Sequence, residues 1–170
     1  IPEKTIADLG EKAFPDQLST YTTRYNSGNY NRSNNLELAA KAINGTVLMP
    51  GETFSYNQTV GERTISAGYK AAAAYAGGKV IQDVGGGICQ ISSTLYNAVL
   101  LANLEITDRS NHCFETSYVP AGRDATVNWG TVDFQFKNNR KYPIKILEII
   151  KGYSYNILAR IKIKKGNHES

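Results

Sequence analysis

Gly85-Gly86-Gly87-Ile88-Cys89-Gln90 sets a cysteine directly after three glycines and at the start of a run in which Ile88, Ile91, Leu95 and Val99 recur at helical spacing. With Ala98, Leu101 and Ala102 filling neighbouring positions, this periodicity predicts a helix over residues 88–103. Cys89 then falls in the first turn. Unpaired N–H groups and the positive end of the helix dipole favour an anion there, which lowers a thiol pKa. The glycines let the backbone turn sharply and leave room for a substrate to reach the sulfur. A small buried Cys in a Gly-rich turn is the bland alternative. An elbow and a helix start together favour a presented nucleophile.

A cysteine nucleophile needs a base, and the chain has two histidines. His168 lies in the charged tail Lys164-Lys165-Gly166-Asn167-His168-Glu169-Ser170, expected to be frayed. That leaves His112, after the polar loop Asp108-Arg109-Ser110-Asn111 and ahead of residues 114–119, whose composition suits a strand. A loop histidine bonded to backbone is the competing reading. Being the one plausible partner of a presented Cys moves His112 into the catalytic role. The oxyanion of an acyl transfer would meet the N–H of Cys89, or of Gly87 or Ile88. Gln90 would orient a substrate amide, or cap the helix. Ser92, Ser93 and Thr94, one to two turns in, are expected to face packing or backbone.

Several separate motifs resemble the VanW family in order and spacing. They are Asn44-Gly45-Thr46-Val47-Leu48-Met49-Pro50-Gly51-Glu52-Thr53-Phe54-Ser55-Tyr56-Asn57, Val60-Gly61-Glu62-Arg63-Thr64, residues 85–97, Arg109-Ser110-Asn111-His112-Cys113, and Tyr118-Val119-Pro120-Ala121-Gly122-Arg123-Asp124-Ala125-Thr126-Val127. The resemblance spans about residues 19 to 149. It implies an extracytoplasmic protein of Gram-positive bacteria, at the cell wall or the outer membrane face, whose parent is membrane-anchored or secreted. It also implies a cysteine-dependent L,D-transpeptidase that acts on peptidoglycan stem peptides and forms 3-3 cross-links through a thioester, with no cofactor. Carried over, the nucleophile is Cys89 and the base His112. The third, orienting group is sought among Asp124, Asp133 and Asn128. Asp124 is preferred because it lies in a motif, although an Asp after Gly-Arg also suits a turn. Arg109 and Arg63 are candidates for a stem carboxylate or for structural ion pairs. Tyr118, with Tyr96 and Trp129, would line a groove or fill the core. One departure is Cys113, where the family carries a small hydroxyl residue. Side chains at consecutive strand positions point to opposite faces, so Cys113 is expected to turn away from Cys89 and not to pair with it.

Two rival functions stand beside this one. A cell-wall cysteine peptidase or amidase would resolve the same thioester with water, and a non-catalytic peptidoglycan-binding module would need the elbow for folding alone.

A chain of 170 residues with 41% hydrophobic and 20% charged content suits one globular domain, residues 1–18 being a lead-in and 165–170 a tail. The net charge of +4 is too small and dispersed to argue nucleic acid. No apolar run approaches a membrane span, and no signal-peptide pattern precedes Ile1-Pro2, so a mature or excised fragment is expected. Two cysteines make no disulfide framework. Cys89, His112 and Cys113 lack metal-site spacing, so no metal is expected.

A helix is expected near residues 35–43, capped within Asn31-Arg32-Ser33-Asn34-Asn35 and ended by Gly45, and a weaker one over the Ala run at 67–76. Extended segments are expected at 46–49, 53–56, 79–84, 114–119, 125–129, 132–137, 144–150 and 153–164. Helices early and hairpin-linked strands late predict an α+β fold, an antiparallel sheet packed against the helix that begins at Cys89.

Overall fold

The computed structural model describes residues 13–151 and 155–164. In chain order the elements are β1 (Asp16–Arg24), α1 (Tyr30–Ile43), β2 (Val47–Leu48), β3 (Thr53–Ser55), α2 (Tyr56–Val60), β4 (Ala71–Ala76), β5 (Lys79–Val84), α3 (Cys89–Leu101), β6 (Glu105–Asp108), β7 (Gln135–Lys137), β8 (Ile144–Lys151) and β9 (Asn156–Ile163). The fold is α+β, and every strand pairing is antiparallel. No helix among the described residues is long and apolar enough to cross a membrane.

The period-2 pattern of β8 and β9 builds the main sheet, ordered β1-β9-β8-β2. Ile144, Ile146, Ile157, Ala159 and Ile161 share one fully buried face. Leu36, Ala39, Ala40 and Ile43 of α1, which packs on β8, and Ile91, Leu95, Ala98 and Val99 of α3, which packs on β1 and β9, complete the core. The sheet β3-β7-β6 contributes Phe54 and Phe136, stacked 4.9 Å apart, and Phe134 sits just ahead of β7. Tyr96 of α3 meets Phe134 edge-on at 5.7 Å.

Several elements differ from expectation for identifiable reasons. Residues 16–18 are not a lead-in but open β1. Its inward residues Ser19 and Thr23 are polar, bonding the Ala98 carbonyl at 2.6 Å and the Thr94 hydroxyl at 2.8 Å, so the strand lacks an apolar stripe. Residues 1–12 and 165–170, with His168, lie outside the described residues. α1 starts at Tyr30 rather than 35, because the Asn29 side chain accepts from the Arg32 N–H and caps it.

The Ala run forms a strand, not a helix. β4 and β5 make a hairpin from Ala71↔Val84 to Ala76↔Lys79, closed by Gly77 (φ 57°) and Gly78 (φ 76°), a two-residue turn of the kind that matches strand twist. Three asparagines of α1 hold its base: Asn31 donates to the Ala71 carbonyl, Asn34 to that of Gly68, and Asn35 to those of Lys70 and Gly86. These tertiary bonds override helix propensity. Residues 114–119 and 125–129 form no strand beyond a bridge at Asn128↔Val132, and the carbonyls of residues 122–125 are taken up by side chains of α3 and Arg109 rather than by a neighbouring strand.

The three glycines are demanded by close neighbours. A Cβ on Gly86 would stand 2.3 Å from the Ala72 carbonyl oxygen and 2.8 Å from that of Ala73. One on Gly85 would meet the Arg63 Cβ at 2.8 Å, and one on Gly87 the Arg32 Cγ at 2.7 Å. At Gly86 the obstacle is backbone, which cannot rotate away. Gly86→Ala should therefore cost about 2–3 kcal/mol, lowering the thermal midpoint by about 5–10 °C. An unchanged midpoint by calorimetry would show that the elbow is not packed this tightly.

Candidate active site

Cys89 is the first residue of α3, preceded by Ile88 in helical conformation (φ −65°, ψ −19°) with no side-chain cap. Among the described residues nothing accepts from the N–H groups of Gly87, Ile88 and Cys89, while the Gly87 and Ile88 carbonyls accept from the turn that follows. The helix start thus presents open donors beside the sulfur. The half-buried thiol contacts the Thr126 hydroxyl at 3.7 Å and the Val127 carbonyl at 3.5 Å.

His112 reaches the site from an irregular loop, and the residues 114–119 that follow it form no strand. Its Nδ1 is hydrogen-bonded to Asp124 Oδ2, and its backbone N–H donates to the same oxygen at 2.6 Å. With Nδ1 engaged, Nε2 is the ring atom left for the sulfur. Burial lowers the imidazole pKa, but interactions with Cys89 and then Asp124 outweigh it and leave the ring more basic than usual. Burial likewise raises the Cys89 pKa, and interactions with His112, the Val127 main chain and Thr126 more than offset it, so the thiol is more acidic than usual. Asp124 is held below the ordinary carboxylate range despite its burial, chiefly by its two bonds to His112. The three side chains together favour a thiolate beside an imidazolium.

The buried polar side of α3 fixes this geometry. Ser92 Oγ donates to the Ala125 carbonyl at 2.7 Å, Ser93 Oγ accepts from the Ala125 N–H at 3.0 Å, and Asn97 donates to the Arg123 carbonyl at 2.8 Å. Arg109 donates to the Asp124 and Gly122 carbonyls at 2.7–2.9 Å and lies over the Tyr96 ring at 4.9 Å. The segment carrying Asp124, Thr126 and Val127 is therefore bolted to the helix that carries Cys89.

The sulfur opens into a cleft of about 1210 Å³, lined among others by Arg32, Arg63, the elbow, His112, Tyr118 and Trp129, with the β4–β5 hairpin along one side. Residues 31–158 match the family described as VanW like protein. The chain belongs to that family. It is 53% identical over 151 residues to YoaR of Bacillus subtilis, covering 86% of this chain and 50% of that protein. It is 35% identical over 144 residues to the vancomycin B-type resistance protein VanW of Enterococcus faecalis, covering 77% and 52%. The chain spans about half the length of these relatives. No solved structure matches it.

Of the residues singled out in this VanW-family sequence, Cys89, His112 and Asp124 come together. Asp133 instead bonds Ser55, Asn57 and Gln135, and Asn128 bonds Thr131. Gln90 is buried with both ends engaged, donating to Thr23 Oγ1 and the Arg24 carbonyl and accepting from Arg32, so it ties α3 to β1 and α1. Arg109 holds Asp124 and does not line the cleft. Arg63 lines the cleft, but its Nη1 donates to Asn57 and the Gly61 carbonyl. Burial pushes the Tyr118 phenol well above its ordinary pKa, so it lines the wall as a neutral donor. Cys113 is exposed and, like Cys89, free. Sequence reading gave no role to Thr126, Val127 or Arg32. Thr126 and Val127 lie in a recognised motif, whereas Arg32 stood in what read as a capping segment.

Alkylation of Cys89 by iodoacetamide should rise with pH about a midpoint below the ~8.5 of an unperturbed thiol, since the shift is downward. His112→Ala removes the main acidifying interaction and leaves burial, so its midpoint should move up. Asp124→Asn should fall between. A His112→Ala profile that overlays the wild type would refute the interaction.

Proposed function

We propose that this domain is a cysteine acyltransferase acting on peptidoglycan stem peptides, an L,D-transpeptidase of the extracytoplasmic face. The single observation that carries this reading is the Cys89–His112–Asp124 array beside uncapped N–H donors at an open cleft. The resistance named in the Enterococcus faecalis relative accords with a cell-wall substrate.

The thiolate of Cys89 attacks the carbonyl carbon of the stem's third residue, and the tetrahedral oxygen takes the N–H of Cys89 and of Ile88 or Gly87. His112 gives its proton to the departing nitrogen, the C–N bond breaks, and D-alanine leaves as an amine. A thioester remains. The side-chain amine of a neighbouring stem then attacks the thioester carbon, His112 takes the proton released from nitrogen, and the C–S bond breaks to restore the thiolate and a 3-3 cross-link. Asp124 holds the ring so that Nε2 serves both transfers.

Incubation with stem tetrapeptides, followed by chromatography and mass spectrometry, should yield cross-linked dimer and free D-alanine. Cys89→Ala should lose the reaction while folding normally, and Asp124→Asn should slow it by on the order of 10²-fold or more. Tripeptide without dimer would point to a peptidase, and dimer from Cys89→Ala would eliminate the proposed nucleophile.

A further inference from the structure

Arg32 was given no role by the sequence, yet it lies across the elbow. Its Nε would stand 3.0 Å from a Cβ on Gly87, whose φ of +103° and missing side chain make room for it. Its Nη2 donates to Gln90 Oε1 at 2.7 Å, a neutral acceptor on the residue after the nucleophile. Glu62 and Asp83 line the same cleft, but among the described residues no carboxylate lies within ion-pairing distance of Arg32. Arg63, across the elbow, is held by Asn57 and Gly61 and lies between the Tyr56 and Trp129 rings, 5.8 and 5.9 Å from their centres.

A half-buried guanidinium without a counter-ion is costly to desolvate, and a bound carboxylate that pairs with it in fork geometry offsets that cost. The burial is sufficient to pull the Arg32 pKa below its ordinary value even though Tyr118, Tyr75 and Cys89 act in the opposite direction. The Gln90 contact occupies one arm only, leaving Nε and Nη1 without a partner among the described residues.

We propose that Arg32 receives the terminal α-carboxylate of the donor peptide, so that the carbonyl one residue before the chain end is the one delivered to Cys89. This rests on the acyl-transfer reading and narrows its substrate to donors with a free carboxylate one residue beyond the scissile bond. It makes the enzyme exo-acting, because a longer or amidated end leaves Arg32 unmatched.

The test compares donor tetrapeptides ending in D-alanine and in D-alaninamide, by the initial rate of release of the terminal residue at equal subsaturating concentration. Wild type should favour the free carboxylate by on the order of 10- to 100-fold, the range of hydrogen bonds to a charged group. Arg32→Gln should react with both at the rate of the amide, and Arg32→Lys should keep part of the preference. A purely structural role would slow both donors equally and preserve the ratio, which would overturn the assignment. So would a wild type indifferent to the carboxylate. Consumption of neither donor by the wild type would overturn the acyl-transfer reading together with this one.

Discussion

Where a side chain at Gly86 would stand, the Ala72 carbonyl oxygen is only 2.3 Å away. That contact fixes how the hairpin β4–β5 meets the start of α3, and the rest of the site is arranged around it. Asn35 bridges Lys70 and Gly86 from the α1 side, so helix, hairpin and elbow share one buried amide. With the elbow held this closely, the chain enters α3 without a capping side chain, and among the described residues the N–H groups of Gly87, Ile88 and Cys89 have no acceptor.

The second constraint is polar and runs along α3. Ser92, Ser93 and Asn97 are fully buried, which would be costly in an apolar core, and they are tolerated because each bonds the main chain of residues 123–125. Those bonds stand in for a strand partner and keep Asp124 against His112. Glu148 shows the contrasting case. It occupies the core face of β8 at 1% exposure with neither carboxyl oxygen hydrogen-bonded, and burial pushes its pKa well above the usual range, in favour of the neutral form.

The sequence was most legible where chemistry and periodicity coincided. Ile91, Leu95 and Val99 announced α3, glycines announced the elbow, and the scarcity of histidines singled out His112. Asp124 came from the motif in which it stands, and its bond to His112 gives that preference a geometric basis. What escaped depended on tertiary bonds that leave no local pattern. The alanines of β4 read as helix because the asparagines that hold them as a strand lie about 35–40 residues away. β1 escaped because its inward residues are hydroxyls that bond α3 rather than an apolar stripe. Arg32 escaped because nothing in its neighbours along the chain reveals that it crosses the elbow.

The intact mass of the protein after brief mixing with a stem tetrapeptide bears most directly on the chemistry assigned to Cys89. The expected species carries the tripeptidyl group, maps to the peptide containing Cys89, and is released by hydroxylamine as a thioester should be. A protein whose thiol alkylates normally yet forms no such adduct, or carries it on another residue, would contradict the assignment of Cys89 as an acyl-accepting nucleophile.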